Sequence, residues 1–179
     1  MGAATDILKA EHRGIEKMLG AVARSVPALR AGDATPVALL EQAGDFFRGF
    51  ADACHHYKEE QVLFPALGAK GFSPEQGPVA VMLYEHEEGR GFIRAMAQAI
   101  ADHKAGEPAA LVHLAEAASA YVSLLTAHIQ KEDNVLFAMA DRFLSADEQA
   151  AAAREFDRAE AEVVGPGVHE RYHRLLDTL

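Results

Sequence analysis

The chain has 179 residues, half of them hydrophobic, which suits one folded domain with a sizeable core and excludes a disordered chain. Its formal net charge of −10 argues against a nucleic-acid partner. No apolar run approaches the roughly 18–20 residues that cross a membrane, and the N-terminus lacks a signal-peptide pattern, so we expect no membrane partner. The single cysteine, Cys54, excludes an intrachain disulfide and is compatible with the cytoplasm, where we expect the protein to reside.

Proline, serine and glycine mark the ends of a series of helices. Prolines at positions 36, 74 and 108 occupy expected first helical positions. The pairs Ser73–Gln76 and Ser145–Glu148 have the spacing of capping boxes, and glycines at 32, 68, 71 and 106 stand where helices should end. No alternating strand pattern competes between these marks. We therefore predict helices at about 6–31, 36–67, 74–104, 108–143, 145–164 and 168–178.

The order of these elements predicts an all-α fold. Four long helices joined by short loops favour an antiparallel up-down four-helix bundle, with two short additional helices at the C-terminus. We expect residues 1–143 to form the bundle. Residues 144–179 would be a C-terminal helical extension that packs on the bundle as part of the same domain.

A ten-residue motif occurs twice in the chain. The segments HHYKEEQVLF at 55–64 and HIQKEDNVLF at 128–137 are identical at six of ten positions, and Glu/Asp and Gln/Asn exchanges account for two more. Two lone histidines that each follow a glutamate, His12 and His86, precede these motifs by 43 and 42 residues. The spacing indicates that the two predicted helical hairpins are copies of one another.

Four histidines are predicted to meet at one level of the bundle. Counting residues along antiparallel helices places His12, His55, His86 and His128 at nearly the same height. Each lies on the apolar stripe of its helix. In the second helix we choose His55, because it continues an apolar stripe whereas the neighbouring His56 shares a stripe with acidic residues.

Two glutamates accompany the histidines. Aligning the motifs pairs Glu59 with Glu132, and each follows a histidine by four residues and so shares its helical face. Buried carboxylates need cations, hydrogen bonds or protons to offset their charge. Two bridging glutamates, with two histidines for each ion, would hold two metal ions and leave positions open for a small ligand. Such donors suit iron or manganese, and zinc sites also use them.

In combination these residues resemble a known family, the hemerythrin-like HHE cation-binding domains, over about residues 6–140. The resemblance is carried by His12, the run from His55 through Glu59 to Pro65, Glu85-His86-Glu87, and His128 with Glu132. It implies a four-helix bundle around a non-haem di-iron centre with oxo and carboxylate bridges. The implied terminal ligands are His12, His55, His86 and His128, and the implied bridging ligands are Glu59 and Glu132.

The resemblance also bears on function. Oxygen-carrying hemerythrins use an additional histidine and a bridging aspartate, so the pattern here is similar to the bacterial and iron-sensing branches. Their roles include nitric oxide and oxidative stress response, peroxide removal, iron-centre repair and iron sensing. We therefore expect a di-iron protein that binds or reduces oxygen, peroxide or nitric oxide, whether or not it is an enzyme. The alternatives are an iron-sensing or iron-handling module, in which metal occupancy controls folding and partner binding, and a structural zinc or manganese bundle.

Other polar residues near the motifs have more than one interpretation. His56 and Glu60 are a solvated pair, support for the ligands, or ligands themselves. Three tyrosines are core or interface rings, one of which could hydrogen-bond a bridging glutamate: Tyr57, Tyr84 and Tyr121. Arg90 is expected to form a surface salt bridge.

The C-terminal segment carries His169 and His173 on one face of the last predicted helix. Either this helix docks through its apolar residues, or it covers the metal end of the bundle. In the second case one of the two histidines would reach an open metal position or a bound ligand.

Overall fold

The computed structural model describes residues 2–164 and 168–179, without the side chains of residues 163, 164, 168–170 and 173. The regular structure of these residues is entirely helical, which confirms the all-α prediction. We number six helices: α1 (Ala3–Arg30), α2 (37–68), α3 (Pro78–Lys104), α4 (Ala110–Phe143), α5 (146–164) and α6 (Val168–Leu176). Helix α2 joins Val37–Phe46, Phe47–His56, Glu59–Leu63 and Phe64–Gly68 without a break.

The predicted helix ends lie within two residues of the structure except that α1 starts three residues earlier and α3 four residues later. The Ser145 capping box is present, since the Ser145 hydroxyl accepts from the Glu148 N–H at 3.3 Å and the Glu148 carboxylate accepts from the Ser145 N–H at 2.8 Å. The box predicted at Ser73 is wrong, because its hydroxyl accepts from the Glu75 N–H within a turn. Helix α3 starts at a later proline, Pro78, after a glycine with φ of +77°.

The long helices contact one another in a closed order: α1 packs on α4, α4 on α3, α3 on α2, and α2 on α1. Their apolar side chains form two clusters. The larger contains Phe46, Phe47 and Phe50, and the smaller contains Phe64 and Phe137. In α1, α2 and α3 the predicted metal-site residues lie, along the chain, between the segments that supply the two clusters. In α4, His128 and Glu132 flank Ile129, the last residue of that helix in the larger cluster. Burial of this apolar surface drives folding and closes both sides of the polar layer.

The two C-terminal helices pack on different parts of this core. Phe156 of α5 is buried in the smaller cluster, and Tyr172 and Leu176 of α6 join the larger one. The Tyr172 hydroxyl donates to the Asp45 carbonyl at 3.1 Å. It also lies so close to Gly49 that a Cβ there would overlap it, so this contact requires glycine. The side chains of His169 and His173 lie outside the described residues, so their predicted contact with the metal end stays a prediction.

Helix α4 is long and apolar enough to cross a membrane when length and composition alone are considered. The helix contains no long uninterrupted apolar run, because polar residues are spaced along it. A core helix of a soluble protein meets the same criterion, and α4 turns Tyr121, His128 and Glu132 fully into the protein interior. Helix α4 is therefore not a clear membrane span.

Candidate metal centre

The six predicted metal-site residues come together in one buried layer. Each is at most 1% exposed: His12, His55, Glu59, His86, His128 and Glu132. The histidines form two pairs, with 2.9 Å between the Nε2 atoms of His12 and His55 and 3.2 Å between those of His86 and His128. The layer thus contains two positions at which a pair of imidazole nitrogens converges.

Each glutamate contacts both histidine pairs. Glu59 Oε1 lies 3.6 Å from His55 Nε2, and its Oε2 lies 3.5 Å from His86 Nε2. Glu132 Oε2 lies 3.2 Å from His12 Nε2 and 3.3 Å from His128 Nε2. Because both carboxylates lie between the pairs, they are placed to connect two cations.

The outward nitrogen of every histidine in the layer faces a carboxylate. The Nδ1–oxygen distances are 2.7 Å for His12 to Asp133, 2.8 Å for His55 to Glu11, 2.7 Å for His86 to Glu60 and 2.9 Å for His128 to Glu85. A carboxylate at Nδ1 holds the proton there and leaves the lone pair on Nε2, which is the arrangement of metal-ligating histidines. All four rings are therefore oriented to present Nε2 lone pairs inward.

Each of these carboxylates is in turn bound by a lysine or an arginine side chain. Lys58 binds Glu11, and Lys131, its counterpart in the second motif, binds Glu85. Arg13 binds Asp133, and Arg90 binds Glu60 at 2.8 Å. The contacts of the first hairpin recur in the second, so the repeat seen in the sequence extends to the groups that orient the histidines.

The local backbone also repeats. Wider helical turns begin at Glu59 and at Glu132, and the carbonyl of each accepts a hydrogen bond from a phenylalanine N–H five residues later. The two phenylalanines then stack on histidines, Phe137 on His12 at 5.4 Å and Phe64 on His86 at 5.9 Å between ring centres. Such turns occur often at functional sites, and the sequence gives no sign of them.

The donors fit bound cations. Among the described residues, the four oxygens of Glu59 and Glu132 are buried and accept no hydrogen bond. The two histidine pairs direct lone pairs at each other across 2.9 and 3.2 Å. Uncompensated buried carboxylates and facing lone pairs are both unfavourable. A cation at each position would satisfy them together, and imidazole with carboxylate donors is suited to iron, manganese or zinc.

The pKa values of the histidines differ within each pair. Burial lowers the pKa of His55 to about 4 and that of His86 to about 3. For His128 burial lowers the pKa, but the carboxylates of Glu132 and Glu85 together outweigh it and raise the pKa to about 9. Asp133 and Glu132 likewise raise the pKa of His12 against the effect of burial. Without metal, a proton is therefore held by His12 in preference to His55, and by His128 in preference to His86.

The two glutamates also differ. Burial and the charge of Glu132 raise the pKa of Glu59 well above its ordinary value. Burial acts on Glu132 too, but the charges of His128 and His12 outweigh it and hold the pKa of Glu132 well below its ordinary value. Without metal, Glu59 therefore binds a proton more strongly than Glu132 does.

These protons predict how metal affinity depends on pH. A cation must displace protons from His12, His128 and Glu59, all of which have raised pKa values, so affinity should rise with pH and fall as protons compete. Each displaced proton changes the apparent affinity by about tenfold per pH unit. Zinc titration calorimetry at pH 6, 7 and 8, in buffers with different heats of ionisation, should show proton release. An affinity that does not change with pH would contradict this protonation scheme.

The structure gives the contacts and exposure of the polar residues that had more than one interpretation. Glu60 supports His86, but His56 is only 5% exposed, so the interpretation of the two as a solvated pair is wrong. Arg90 does more than form a surface salt bridge, because it binds both Asp52 and Glu60. Tyr57 and Tyr84 are exposed, and Tyr121 packs on Phe47. No described tyrosine donates to a glutamate of the layer.

Among the residues that orient the histidines, sequence reasoning offered a role only for Glu60, as one interpretation, and assigned no role to Glu11, Glu85 and Asp133. A signal was present, since a glutamate precedes each lone histidine and an acidic residue follows each glutamate of the repeated motif. These four residues are Glu11, Glu85, Glu60 and Asp133. Their partners could not be read from the chain, because each contact joins residues far apart in sequence.

Comparisons with known proteins agree with this geometry. Residues 3–140 match the family described as Hemerythrin HHE cation binding domain. Uncharacterised proteins of Mycobacterium tuberculosis and Mycobacterium bovis are 27% identical over 157 residues; the alignment covers 88% of this chain and 61% of each relative, so the chain spans under two thirds of their length. No solved structure matches. Since the family match extends over most of the chain and includes the whole histidine and glutamate layer, the protein belongs to the hemerythrin HHE cation-binding domain family.

Proposed function

We propose that the layer holds two iron ions. His12 and His55 would bind one ion, His86 and His128 the other, and Glu59 and Glu132 would bridge them. The observation that carries this proposal is the set of four buried carboxylate oxygens that accept no hydrogen bond among the described residues. The same donors also suit manganese or zinc, and the family match favours iron over them.

The proposed activity is the binding or reduction of a small oxidant, namely oxygen, peroxide or nitric oxide, in oxidative or nitrosative stress response. Iron would supply electrons and unfilled coordination positions, because six protein donors do not saturate two ions. The residues of the chain fix the ring orientations through Nδ1 and exclude bulk water by burying the layer. An excess of acidic over basic residues, 27 to 17, favours a small-molecule partner over nucleic acid, and a cytoplasmic location fits the single buried cysteine.

We further propose that α1 to α4 form an antiparallel up-down four-helix bundle and that residues 144–179 extend the same domain. The closed order of helix contacts and the short connections between helices support the bundle. The burial of Phe156, Tyr172 and Leu176 in the core supports the single domain.

One observation favours iron sensing as a second candidate function. The side chains of Glu11, Lys58 and Glu160 link His55 to helix α5, because Lys58 binds both carboxylates. Loss of metal would free the His55 ring and thereby loosen this link to the C-terminal extension. Metal occupancy could then control a surface that a partner protein recognises.

The deciding experiment combines metal content with the visible spectrum. Protein loaded with ferrous iron without oxygen should contain about two irons per chain, and its spectrum should change on exposure to oxygen, peroxide or nitric oxide. The control is the Glu59→Gln variant treated in the same way. Catalytic turnover would support the oxidant function. Reversible iron loss with a large stability change and no turnover would support sensing, and one zinc or no metal would refute the di-iron proposal.

A further inference from the structure

His56 has the environment of the four histidines in the layer, although it is not one of them. It is 5% exposed, and its ring lies over that of His86 with 3.8 Å between centres and 12° between planes. Its Nδ1 lies 3.4 Å from an Asp52 carboxylate oxygen, and Arg90 Nε donates to the same oxygen at 2.8 Å. A carboxylate again holds the Nδ1 side, so the Nε2 lone pair is left for another partner.

The ring is also within reach of the metal layer. One ligand atom from each of His56, Glu59, His86 and His128 lies within 4.8 Å of the others. This set contains the second histidine pair and one oxygen of a connecting glutamate. A cation held by that pair would therefore have a third imidazole beside it.

The first hairpin differs from its copy at this point. In the aligned motifs, His56 corresponds to Ile129 and Asp52 corresponds to Leu125, and both counterparts are buried apolar residues. A buried histidine with its own carboxylate thus replaces a pair of hydrophobic side chains on one side only. Asp52 keeps 35% of its side chain exposed, but burying the His56 imidazole has a cost that packing alone does not explain.

We infer that His56 is a fifth imidazole ligand, to the ion held by His86 and His128. The inference rests on the proposed metal centre and adds an asymmetry to it. The two rings are stacked with only 12° between their planes, so we expect His56 to tilt for both to meet one ion. A cavity of about 160 Å³ lined by His56, Gly89 and Tyr121 gives the ring room to tilt.

The two metal positions are then unequal. One has three imidazoles, and the other, between His12 and His55, has two. The richer position should fill first and hold its ion more tightly, and the poorer one should keep more of its coordination positions free for a small ligand. If the two hairpins supplied identical ligands, both ions would be held alike, and neither would be set apart for binding a small ligand.

Cobalt titration of the full chain tests the inference. In wild type we expect two binding steps. His56→Ile, which copies the second hairpin, should weaken the tighter step by about 10- to 100-fold, the range seen when a group supporting a metal is lost, and leave the other step within about threefold. His56→Gln should act in the same direction, and Ile129→Leu is the matched control in the other hairpin. Thermal unfolding without metal checks that each variant folds.

The outcomes separate the two proposals. Unchanged binding in both His56 variants, or an equal loss at both steps, would overturn the role of His56 while leaving the metal centre intact. Failure of wild type to bind cobalt, zinc or iron would refute the metal centre itself. Visible absorption of bound cobalt gives a second readout, since only one of the two ions should change its spectrum in His56→Ile.

Discussion

Glu59→Gln should abolish tight metal binding and, at the same time, stabilise the metal-free protein. The carboxylate contacts both histidine pairs, so its loss should lower metal affinity by more than about 100-fold, beyond the effect of losing a supporting group. Without metal, Glu59 is a buried acid beside an ionised one, and its raised pKa lowers stability as pH rises above the ordinary carboxyl value. A neutral amide removes this effect, so the free energy of unfolding at pH 7 should rise by roughly 1–3 kcal/mol.

Thermal unfolding with and without metal measures both effects. In wild type, each ion at a free concentration 1,000 times its Kd should add about 4 kcal/mol, which corresponds to a rise in Tm of at least about 8 °C for a chain of this size. Glu59→Gln should start from a higher metal-free Tm and show almost no rise. At pH 4 the metal-free proteins should unfold alike, because Glu59 is then protonated in both states.

An exposed glutamate provides the control for this experiment. Glu88 lies on the surface of α3, and Glu88→Gln should change neither the metal response nor the metal-free Tm. If Glu59→Gln proved less stable than wild type without metal, the carboxylate would contribute to the fold itself. The argument that bound cations offset its buried charge would then be wrong.

Lys58→Met should destabilise the protein far more than Lys131→Met, although the two lysines occupy the same place in the repeated motif. Lys58 is fully buried between Glu11 and Glu160, whereas the Lys131 side chain is 40% exposed beside Glu85. Removing one partner of a buried ion pair costs about 3–5 kcal/mol, because the other charges are left unpaired. An exposed pair contributes no more than about 1 kcal/mol.

Urea unfolding of the metal-free variants compares the two positions directly. The double variant Lys58→Met with Glu160→Met should recover part of the lost stability, since one unpaired carboxylate is removed. Equal effects at Lys58 and Lys131 would show that helix α5 does not bury the first site in solution. They would also weaken the sensing alternative, which depends on the contact between Lys58 and Glu160.

Much of the site could be predicted because its information is local. The four-residue spacing of His55 with Glu59, and of His128 with Glu132, places each pair on one helical face in any helix. The proline and glycine positions fixed the approximate helix lengths, and these lengths set the heights of the histidines. The structure brings these residues, with His12 and His86, into one buried layer, as the counting predicted.

The errors arose where local rules compete or where contacts join distant residues. The pairs Ser73-Pro74 and Gly77-Pro78 can each mark the start of a helix, and α3 starts at the second of them. Of the three interpretations of His56, the acidic stripe suggested a solvated residue, but the stacked ring of His86 covers it. The wider turns at Glu59 and Glu132 depend on packing and have no signature in the sequence.

The sequence by itself determined which side chains meet in the buried layer, since helical periodicity selects one face of each helix and the repeated motif selects the same residues twice. Only the tertiary structure decided which carboxylate orients which histidine, and why one lysine of the repeat is buried while the other is exposed. The physical reason is that helix propensity and spacing act within a few residues. Burial and electrostatic pairing depend on neighbours that come from other helices and, at Lys58, from the C-terminal extension.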